Sequence, residues 1–314
     1  MNYQETTATI CFSARIAIVG PPNVGKSTLL NQILGEKVSI VSKKAQTTRD
    51  RILGILHQQE YEFVFMDTPG LHVSQKKLNQ IMNHVATQTI DGADLILYVI
   101  EANPQHVDQV SKHFVSTIQK HLAHVRVPVI LVLNKIDTVR KSRLLPYIQT
   151  LMAAYPFKEI IPLSAKNNDG IQVLLDACKP YMPKSQAVYA PDDFTDQSER
   201  KLVSELIREQ VFQQLHAEVP YACAVMIDGW KTHQEEASTT TEIFATILVE
   251  RDSQKSIIIG KGGSRLKEIG TLARREIERL LNHHVYLHLH IKCVSLWSQN
   301  QAILNELGYS KLKE

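Results

Sequence analysis

Eight consecutive residues near the start of the chain have the types and spacing of a phosphate-binding loop. Residues 20–27 read GPPNVGKS and match the pattern G-x-x-x-x-G-K-[ST]. The glycines allow backbone N–H groups to face a phosphate, while Lys26 brings a positive charge and Ser27 a hydroxyl ligand for Mg²⁺. A chance match in a chain of this length is on the order of one per cent. We predict a site for a nucleoside triphosphate and Mg²⁺ formed by Gly20, Asn23, Val24, Gly25, Lys26, Ser27 and Thr28.

A second fragment selects the base. Residues 134–137 read NKID and directly follow an apolar run. The Asp137 carboxylate can accept hydrogen bonds from the ring N1–H and exocyclic amine of guanine, and adenine presents neither donor at that edge. Asn134 is expected to bridge the base and the phosphate loop, and the aliphatic stem of Lys135 to cover the base. The sequence therefore predicts a site for GTP or GDP, completed by Ser164, Ala165 and Lys166.

Two further segments have the composition of loops that respond to the γ-phosphate. Residues 67–70 read DTPG, in which Asp67 is expected to hold Mg²⁺ through water and the Gly70 amide to reach the γ-phosphate. Residues 46–49 read QTTR, and Thr48 is expected to coordinate Mg²⁺ only when GTP is bound. Alone, these segments also fit a plain turn and a solvated polar loop. We therefore expect Lys26, Thr48, Asp67 and Gly70 to act in catalysis, Ser27, Thr48 and Asp67 to hold the metal, and Thr68 and Pro69 to lie beside the nucleotide.

Hydrolysis needs a group that orients water. Many regulatory GTPases carry a glutamine at the position that follows DTPG here, but this chain has Leu71. Because a leucine side chain cannot hydrogen-bond to water, we expect slow intrinsic hydrolysis that depends on another group.

A glycine-rich segment in the second half of the chain predicts contact with a nucleic-acid backbone. Residues 257–263 read IIIGKGG and precede an amphipathic, basic helix. From Lys255 to Lys292 there are eight Lys or Arg and three Asp or Glu, although the whole chain carries a formal net charge of only +3. G-x-x-G between two helices is typical of a KH domain, which holds about four unpaired nucleotides. The predicted RNA contacts are Ile258, Gly260, Lys261, Gly262, Gly263, Arg265 and Lys267.

The elements that must position these residues alternate in the first half. Buried-strand patterns cover 16–19, 63–66, 95–100, 129–133 and 160–163, and helical patterns cover 26–34, 78–90, 107–122 and 171–177. Alternation of this kind predicts a mostly parallel sheet, with ligands at the carboxyl ends of its strands. The second half reads helix, strand, strand, helix, turn, helix, strand, with strands at 222–227, 243–249 and 285–291. We expect its first helix to be capped by Ser198 and to run to about His216.

Length and composition fit two domains in one chain. The 314 residues predict a nucleotide-binding domain over 13–182, a Pro- and Asp-containing linker over 183–197 and an RNA-binding domain over 198–305. Four separated cysteines, without a C-x-x-C pair, fit reduced thiols in a cytosolic protein. Nothing resembles a signal peptide or a transmembrane span, although peripheral contact with a membrane surface stays open. His288 and His290 share a strand face but lack an acidic or thiol companion, so we interpret them as surface residues, not metal ligands.

The residues of these motifs resemble those of the Era family of bacterial GTPases. The segments PPNVGKSTLLN, AQTTRDR, DTPGLH and LSAK carry the resemblance in the first half, and IIGKGG carries it in the second. The resemblance implies an α/β P-loop GTPase domain, with a mostly parallel sheet and helices on both faces, followed by a smaller α+β type II KH domain. Departures lie at Cys293 and Leu296, where family members usually have a lysine and a glycine.

The resemblance also implies partners and cofactors. It implies GTP/GDP and Mg²⁺, binding of 16S rRNA near its 3′ end, action in assembly of the small (30S) ribosomal subunit, and a monomer in the cytoplasm with a peripheral association with the inner membrane. Asn23 occupies a position that in related GTPases helps to bind K⁺ beside the phosphates, and an equally open alternative is that it only stabilises the loop. Two other functions stay open: a GTPase whose second domain binds a protein, and an ATP-dependent enzyme with a generic phosphate loop.

Overall fold

Two groups of strands and helices make up the described part of the chain. The structure, a computed structural model, describes residues 10–42, 44, 47–69, 77–102, 122, 125–235 and 238–309. The first unit comprises Met1–Val38, Arg51–Leu71 and Val85–Asp196, and the second comprises Ser39–Asp50, His72–His84 and Gln197–Glu314. We call Ser39–Asp50 the threonine loop, and its place in the second unit was not predicted.

A mainly parallel sheet forms the centre of the first unit. Its strands are β1 (Ile10–Val19), β2 (Ile52–Gln58), β3 (Tyr61–Asp67), β4 (Leu95–Glu101), β5 (Val129–Asn134), β6 (Glu159–Pro162) and β7 (Lys184–Gln186). Among the described residues they lie in the order β2-β3-β1-β4-β5-β6, with β7 on the end of β1. All neighbours are parallel except β2 with β3 and β7 with β1. The predicted sheet is confirmed, but β2 and β7 were not predicted.

Helices pack on both faces of this sheet. They are α1 (Lys26–Leu34), the part of α2 (Lys77–Asp91) from Val85 onward, α3 (Leu144–Ala154) and α4 (Ile171–Cys178). On β1, Ile16 and Ile18 join a core cluster with residues of α1 and α4, whereas Ala17 and Val19 join a second cluster with residues of α3. Alternate residues of one strand are therefore buried on opposite sides, as continuous apolar runs predict. The helix predicted over 107–122 lies outside the described residues apart from Leu122.

The second unit has the predicted order of elements, followed by a short helix, α8 (Gln301–Glu306), that was not predicted. It contains α5 (Glu199–Gln214), β8 (Ala224–Glu235), β9 (Ser238–Val249), α6 (Asp252–Ile259), α7 (Ser264–Leu281), β10 (His284–Cys293) and α8 (Gln301–Glu306). The sheet order is β10-β9-β8, with β10 parallel to β9 and β8 antiparallel to it. The Ser198 side chain accepts a hydrogen bond from the backbone N–H of Lys201, so the predicted cap of α5 is confirmed.

Candidate functional site

The phosphate loop joins β1 to α1, and its shape depends on glycine. Gly25 has φ 97° and forms the N-cap of α1. A Cβ atom on Gly25 would lie 2.4 Å from Nδ2 of Asn134, so a side chain fits neither the backbone angle nor the space. The N-terminus of α1 thus follows directly from a loop of backbone amides, an arrangement that favours a bound phosphate.

Lys26 is held inside this loop. Its side chain is only 7% exposed, and Nζ donates to the carbonyl oxygens of Gly20 at 3.0 Å and Pro21 at 2.8 Å. Burial lowers the pKa of Lys26, and the nearby Asp67 carboxylate opposes part of that shift. A buried ammonium group on neutral carbonyls gains a stronger partner when an anionic phosphate arrives.

Ser27 and Asp67 form a hydroxyl–carboxylate pair. Because β1 and β3 are parallel neighbours with Ile18 opposite Asp67, the carboxyl end of β3 lies beside the phosphate loop. Ser27 Oγ donates to Asp67 Oδ2 at 2.7 Å, and Asp67 is fully buried. The Thr68 hydroxyl donates to the carbonyl of Ile18 at 3.0 Å and fixes the strand end. Two adjacent oxygen ligands of these types fit Mg²⁺. Gly70 and Leu71 lie outside the described residues.

Asn134 ties the predicted base-binding residues to the phosphate loop. Its Nδ2 donates to the carbonyl of Val24 at 2.8 Å. Its Oδ1 accepts from the backbone N–H groups of Lys135 at 2.8 Å and Ala165 at 3.0 Å. Asn134 is 2% exposed, so its link to the phosphate loop is buried.

Lys135 and Asp137 present their charges at the edge of the site. Lys135 adopts φ 65°, and its Nζ contacts the Asn23 carbonyl and Glu101 Oε2, each at 2.7 Å. Asp137 is exposed, and its Oδ1 accepts from the Ser164 hydroxyl at 2.6 Å. This bond orients the carboxylate that sequence reasoning assigned to guanine. Lys166, the last residue assigned to this pocket, is exposed.

The threonine loop is anchored within the second unit. Arg49 donates from Nη1 to the Cys223 carbonyl at 2.7 Å and from Nη2 to the Tyr221 carbonyl at 2.9 Å. Arg208 of α5 donates to the Thr47 carbonyl at 2.5 Å. Between these contacts, Thr48 is 6% exposed. The predicted metal ligand Thr48 therefore belongs to a packed segment of the second unit in this structure.

Two arginines share this buried environment. Arg49 is 4% exposed, and its Cζ lies 5.8 Å from the Phe212 ring centroid and 5.9 Å from that of Trp297. Burial lowers the pKa of Arg49, and the positive charge of Arg208 lowers it further. Burial also acts to lower the pKa of Arg208, but Glu205 outweighs that effect and raises it. Sequence reasoning missed both anchoring roles, because the partners lie far apart in the chain.

The glycine loop between α6 and α7 has the shape predicted for backbone contact. Gly260 has φ 71°, and a Cβ there would lie 2.8 Å from Cβ of Arg265. Gly262 has φ 59° with no heavy atom within 4 Å of its ideal Cβ position. Lys261 and Lys267 are exposed, and Arg265 Nη1 donates to the Ile257 carbonyl at 2.7 Å. This loop can approach a nucleic-acid backbone with two cations beside it.

An open groove of about 390 Å³ lies between α7 and β10. It is lined by Gly263, Leu266, Lys267, Gly270, Thr271, Arg274, Leu287 and Leu289. The prediction for Ile258 needs correction, since its side chain is fully buried in the core of the second unit. The neighbouring Ile257 is 41% exposed, so α6 presents a different isoleucine at its surface.

The described ranges also limit what other sites this part of the chain can form. No group of three or more His, Cys, Asp or Glu within them could hold a metal ion. No helix within them is both apolar enough and long enough for a bilayer. The cysteines Cys11, Cys178, Cys223 and Cys293 are free thiols.

Comparison with known proteins matches each half to a family. The family described as 50S ribosome-binding GTPase matches residues 15–135, and the family described as KH domain matches residues 218–298. The GTPase Era of Geotalea uraniireducens is 45% identical over 297 residues, which cover 95% of this chain and 97% of that protein. The GTPase Era of Geobacter metallireducens is 46% identical over 299 residues, covering 95% and 98%.

Solved structures of Era match almost the whole chain. A variant of Aquifex aeolicus Era bound to GDP and AlF4⁻ has a TM-score of 0.89 and 37% identity, covering 95% of this chain and 99% of that one. Era in complex with MgGDPNP and nucleotides 1506–1542 of 16S ribosomal RNA has a TM-score of 0.89 and 36% identity, covering 96% and 99%.

Proposed function

Because this chain belongs to the Era family of GTPases, we propose that its KH domain binds the 3′ region of 16S ribosomal RNA under the control of GTP, in small-subunit assembly. The chain is a GTPase with a P-loop domain and a C-terminal KH domain. The observation that carries the RNA proposal is the open groove beside the glycine loop, with Lys267 and Arg274 on its wall. The likeness to Era bound to 16S rRNA nucleotides supports the choice of this RNA.

GTP binding follows from residues that the first unit already holds in place. The loop amides and Lys26 receive the phosphates, and the hydrogen bond from Asn134 to the Val24 carbonyl supports the loop backbone. Asp137, oriented by Ser164, accepts the two donors of the guanine edge. ATP would leave that carboxylate without its partners, so the alternative of a generic ATP-dependent enzyme is not favoured.

Hydrolysis relies on charge stabilisation at the phosphates. Lys26 is positioned for the β- and γ-phosphates, and Ser27 and Asp67 would hold Mg²⁺. When bound, Mg²⁺ supplies positive charge that neutralises the phosphate oxygens.

We propose that K⁺ at Asn23 adds to this charge. Comparing hydrolysis in KCl and NaCl, for the wild type and Asn23→Ala, tests it: a K⁺ stimulation retained in the variant contradicts the assignment.

The threonine loop offers a physical basis for coupling. GTP is expected to recruit Thr48 to Mg²⁺, whereas the loop is anchored in the second unit by Arg49 and Arg208. A nucleotide that binds better to one arrangement of the threonine loop shifts the equilibrium toward that arrangement. If the nucleotide thereby changes the affinity for RNA, RNA changes the affinity for the nucleotide by the same factor. RNA affinity measured with GDP and with a non-hydrolysable GTP analogue should therefore differ. Equal affinities refute the coupling and leave the RNA site standing.

The test of the RNA proposal is crosslinking in the native cells, followed by sequencing of the bound RNA. Gly262→Asp places a negative charge in the glycine loop, and Ser253→Asp places the same charge at the distant end of α6 as a matched control. We expect enrichment at the 3′ end of 16S rRNA, lost with Gly262→Asp and retained with Ser253→Asp. Enrichment of large-subunit RNA, or enrichment indifferent to the loop charge, contradicts the proposal.

Contact with the inner membrane is a separate proposal that rests on the family resemblance alone. Flotation of the protein with vesicles containing about one-third anionic lipid tests it. Protein that stays at the bottom of the gradient at low salt rules out this contact.

A further inference from the structure

The sheet of the second unit has two faces with different chemistry. Along β10, Val285 and Ile291 point into the helical core, while the alternate residues point away from it. We call the face that points away from the helices the outer face. It is formed by Tyr286, His288, His290 and Lys292 of β10, Phe244 of β9 and Lys231 of β8. All four β10 members are exposed, and Tyr286 is 55% exposed.

Aromatic rings on the outer face are arranged for stacking. The Phe244 and His288 rings are stacked with centroids 4.7 Å apart and an interplanar angle of 12°. His284 meets Tyr286 edge to face at 4.9 Å. Successive ring-bearing positions on β10 are about 6.8 Å apart, two residues along the strand. A row of flat rings at this spacing can receive successive unpaired bases.

Two lysines on the outer face can contact phosphate groups. Lys231 Nζ lies 5.8 Å from the Phe244 ring centroid, and Lys292 is exposed at the end of β10. The carboxylates on this face are already engaged: Glu242 contacts Nε2 of His288 at 3.1 Å, and Asp228 accepts from the Thr246 hydroxyl at 2.6 Å. The lysine ammonium groups therefore remain for phosphates beside the rings.

The outer face is continuous with the groove. Leu287 and Leu289, which alternate with Tyr286, His288 and His290 on β10, line the groove between α7 and β10. β10 is at the edge of its sheet in the described residues, with β9 as its neighbour. A strand of RNA that leaves the groove reaches the outer face by crossing a single β-strand.

We propose that the outer face is a second single-stranded RNA surface, on which bases that leave the groove stack against Tyr286, His288 and Phe244. The proposal rests on the proposed function of the groove and extends the footprint beyond the roughly four nucleotides that a KH groove holds. Sheet faces that carry exposed aromatic rings bind single-stranded RNA in this way in another fold, the RRM. A base stacked on a ring contributes roughly 5- to 100-fold in affinity.

The experiment measures affinity against RNA length. Fluorescence anisotropy of the full chain with Mg²⁺ and a GTP analogue uses nested RNAs from the 3′ region of 16S rRNA, from about 4 to about 20 nucleotides. Tyr286→Ala and His288→Ala alter the outer face, Gly262→Asp alters the glycine loop, and His216→Ala removes an exposed imidazole outside the sheet as a control.

The length series separates the two sites. We expect the outer-face variants to bind the shortest RNAs like the wild type but to lose about 5- to 100-fold on the longest, with His216→Ala unchanged. Outer-face variants that bind every length like the wild type overturn this inference. Equal losses at every length also overturn it, because the rings would then act through the groove or through folding. Wild-type protein that binds none of the RNAs contradicts the proposed function itself.

Crosslinking gives an independent readout. Ultraviolet crosslinks from the longest RNA should map to the peptide that contains Tyr286, and crosslinks from the shortest should not. If the outer-face variants instead change the oligomeric state, measured by light scattering, and leave RNA binding intact, the surface is a contact between copies of the chain and the RNA assignment is wrong.

Discussion

Replacing Arg49 by methionine tests whether hydrogen bonding or charge burial dominates at the anchor of the threonine loop. The guanidinium donates to the carbonyls of Tyr221 and Cys223, at 2.9 and 2.7 Å, and lies between the Phe212 and Trp297 rings. Methionine retains an unbranched apolar side chain, shorter than that of arginine, and has no donor. The substitution therefore removes the hydrogen bonds and the buried charge while it keeps part of the apolar packing.

The expected magnitude follows from two opposing effects. A hydrogen bond to a charged group contributes about 1.5–3 kcal/mol, so two contribute about 3–6 kcal/mol. Removing the charge relieves a cost, because burial and the neighbouring Arg208 both lower the pKa of Arg49. That relief is about 1–3 kcal/mol, by analogy with buried ion pairs replaced by apolar residues. We expect the free energy of unfolding of the second unit to fall by about 2–4 kcal/mol.

Tryptophan fluorescence reports on this unit directly. The chain has two tryptophans, Trp230 and Trp297, and Trp297 is fully buried beside Arg49. In a Trp230→Phe background, urea unfolding followed at Trp297 should show a midpoint lower by about 1–2 M, for a slope near 2 kcal/mol per molar urea.

A lysine variant provides the comparison. Arg49→Lys keeps the buried charge but replaces a planar fork with a single ammonium group, so we expect it to be at least as unstable as Arg49→Met. An unchanged urea midpoint in Arg49→Met refutes the reasoning. The carbonyl bonds would then contribute no more than the burial of the charge costs.

Three other predictions concern the nucleotide site and pH. Asp137→Asn should weaken GDP binding by about 100-fold, which corresponds to about 3 kcal/mol for two charge-assisted hydrogen bonds. Calorimetric titration with GDP and with ADP measures the two affinities. An unchanged preference for GDP contradicts the assignment of Asp137 to guanine. Gly25→Ala should abolish nucleotide binding, because its Cβ would lie 2.4 Å from Asn134 Nδ2. The control is Gly35→Ala, at a glycine with φ 72° and no heavy atom within 4 Å of the ideal Cβ position. This variant should retain binding in the same titration and lose about 1 kcal/mol of stability. Burial acts to raise the pKa of Glu205, but the charges of Arg208, Lys201 and Arg49 and the hydrogen bond from Arg208 together outweigh it and lower the pKa from its ordinary value of 4.5. The ionised Glu205 therefore stabilises the folded state fully above pH 4.5, and this contribution is lost as the pH falls through the lower pKa of the folded state. Glu205→Gln should flatten the acid side of a curve of unfolding free energy against pH. An unaltered curve contradicts this prediction.

Local sequence was sufficient to predict a site residue where a single short segment determines the position of that residue. Lys26 and Ser27 follow a buried strand and open a helix, so their position at a strand end was readable from eight residues. The same applies to Asn134 at the end of β5 and to Gly260 between two helices. Each of these features depends on short-range spacing, which periodicity and glycine content record.

Several elements were not predicted, and for β2 and α3 the reason is local. β2 contains Gly54 and ends in the polar residues His57 and Gln58, so its pattern is short and interrupted. α3 has Pro146 as its third residue, which reads as a loop signal although the first turn of a helix needs no N–H at that position. In both cases, packing against the rest of the sheet stabilises an element whose local sequence has only a weak preference for strand or helix.

Other features depend on partners that are distant in the chain. Ile258 was assigned to RNA because it adjoins the glycine loop, but its neighbours in the core, such as Ile247 and Ile277, lie on other elements. Arg49 reads as an ordinary polar loop residue until Cys223 is brought beside it. No local pattern records such contacts, so sequence reasoning could not find them.

The anchoring of the threonine loop also imposes an order on biosynthesis. The backbone N–H of Val41 donates to Glu209, which is 168 residues later in the chain. A ribosome that adds about 5–20 residues per second needs roughly 10–30 s to make the intervening segment. The threonine loop therefore leaves the exit tunnel long before its docking helix exists. A nascent chain released early would leave the threonine loop without Arg208 and the carbonyls of 220–223, whereas a fragment cloned from residue 197 onward would leave those groups without the threonine loop.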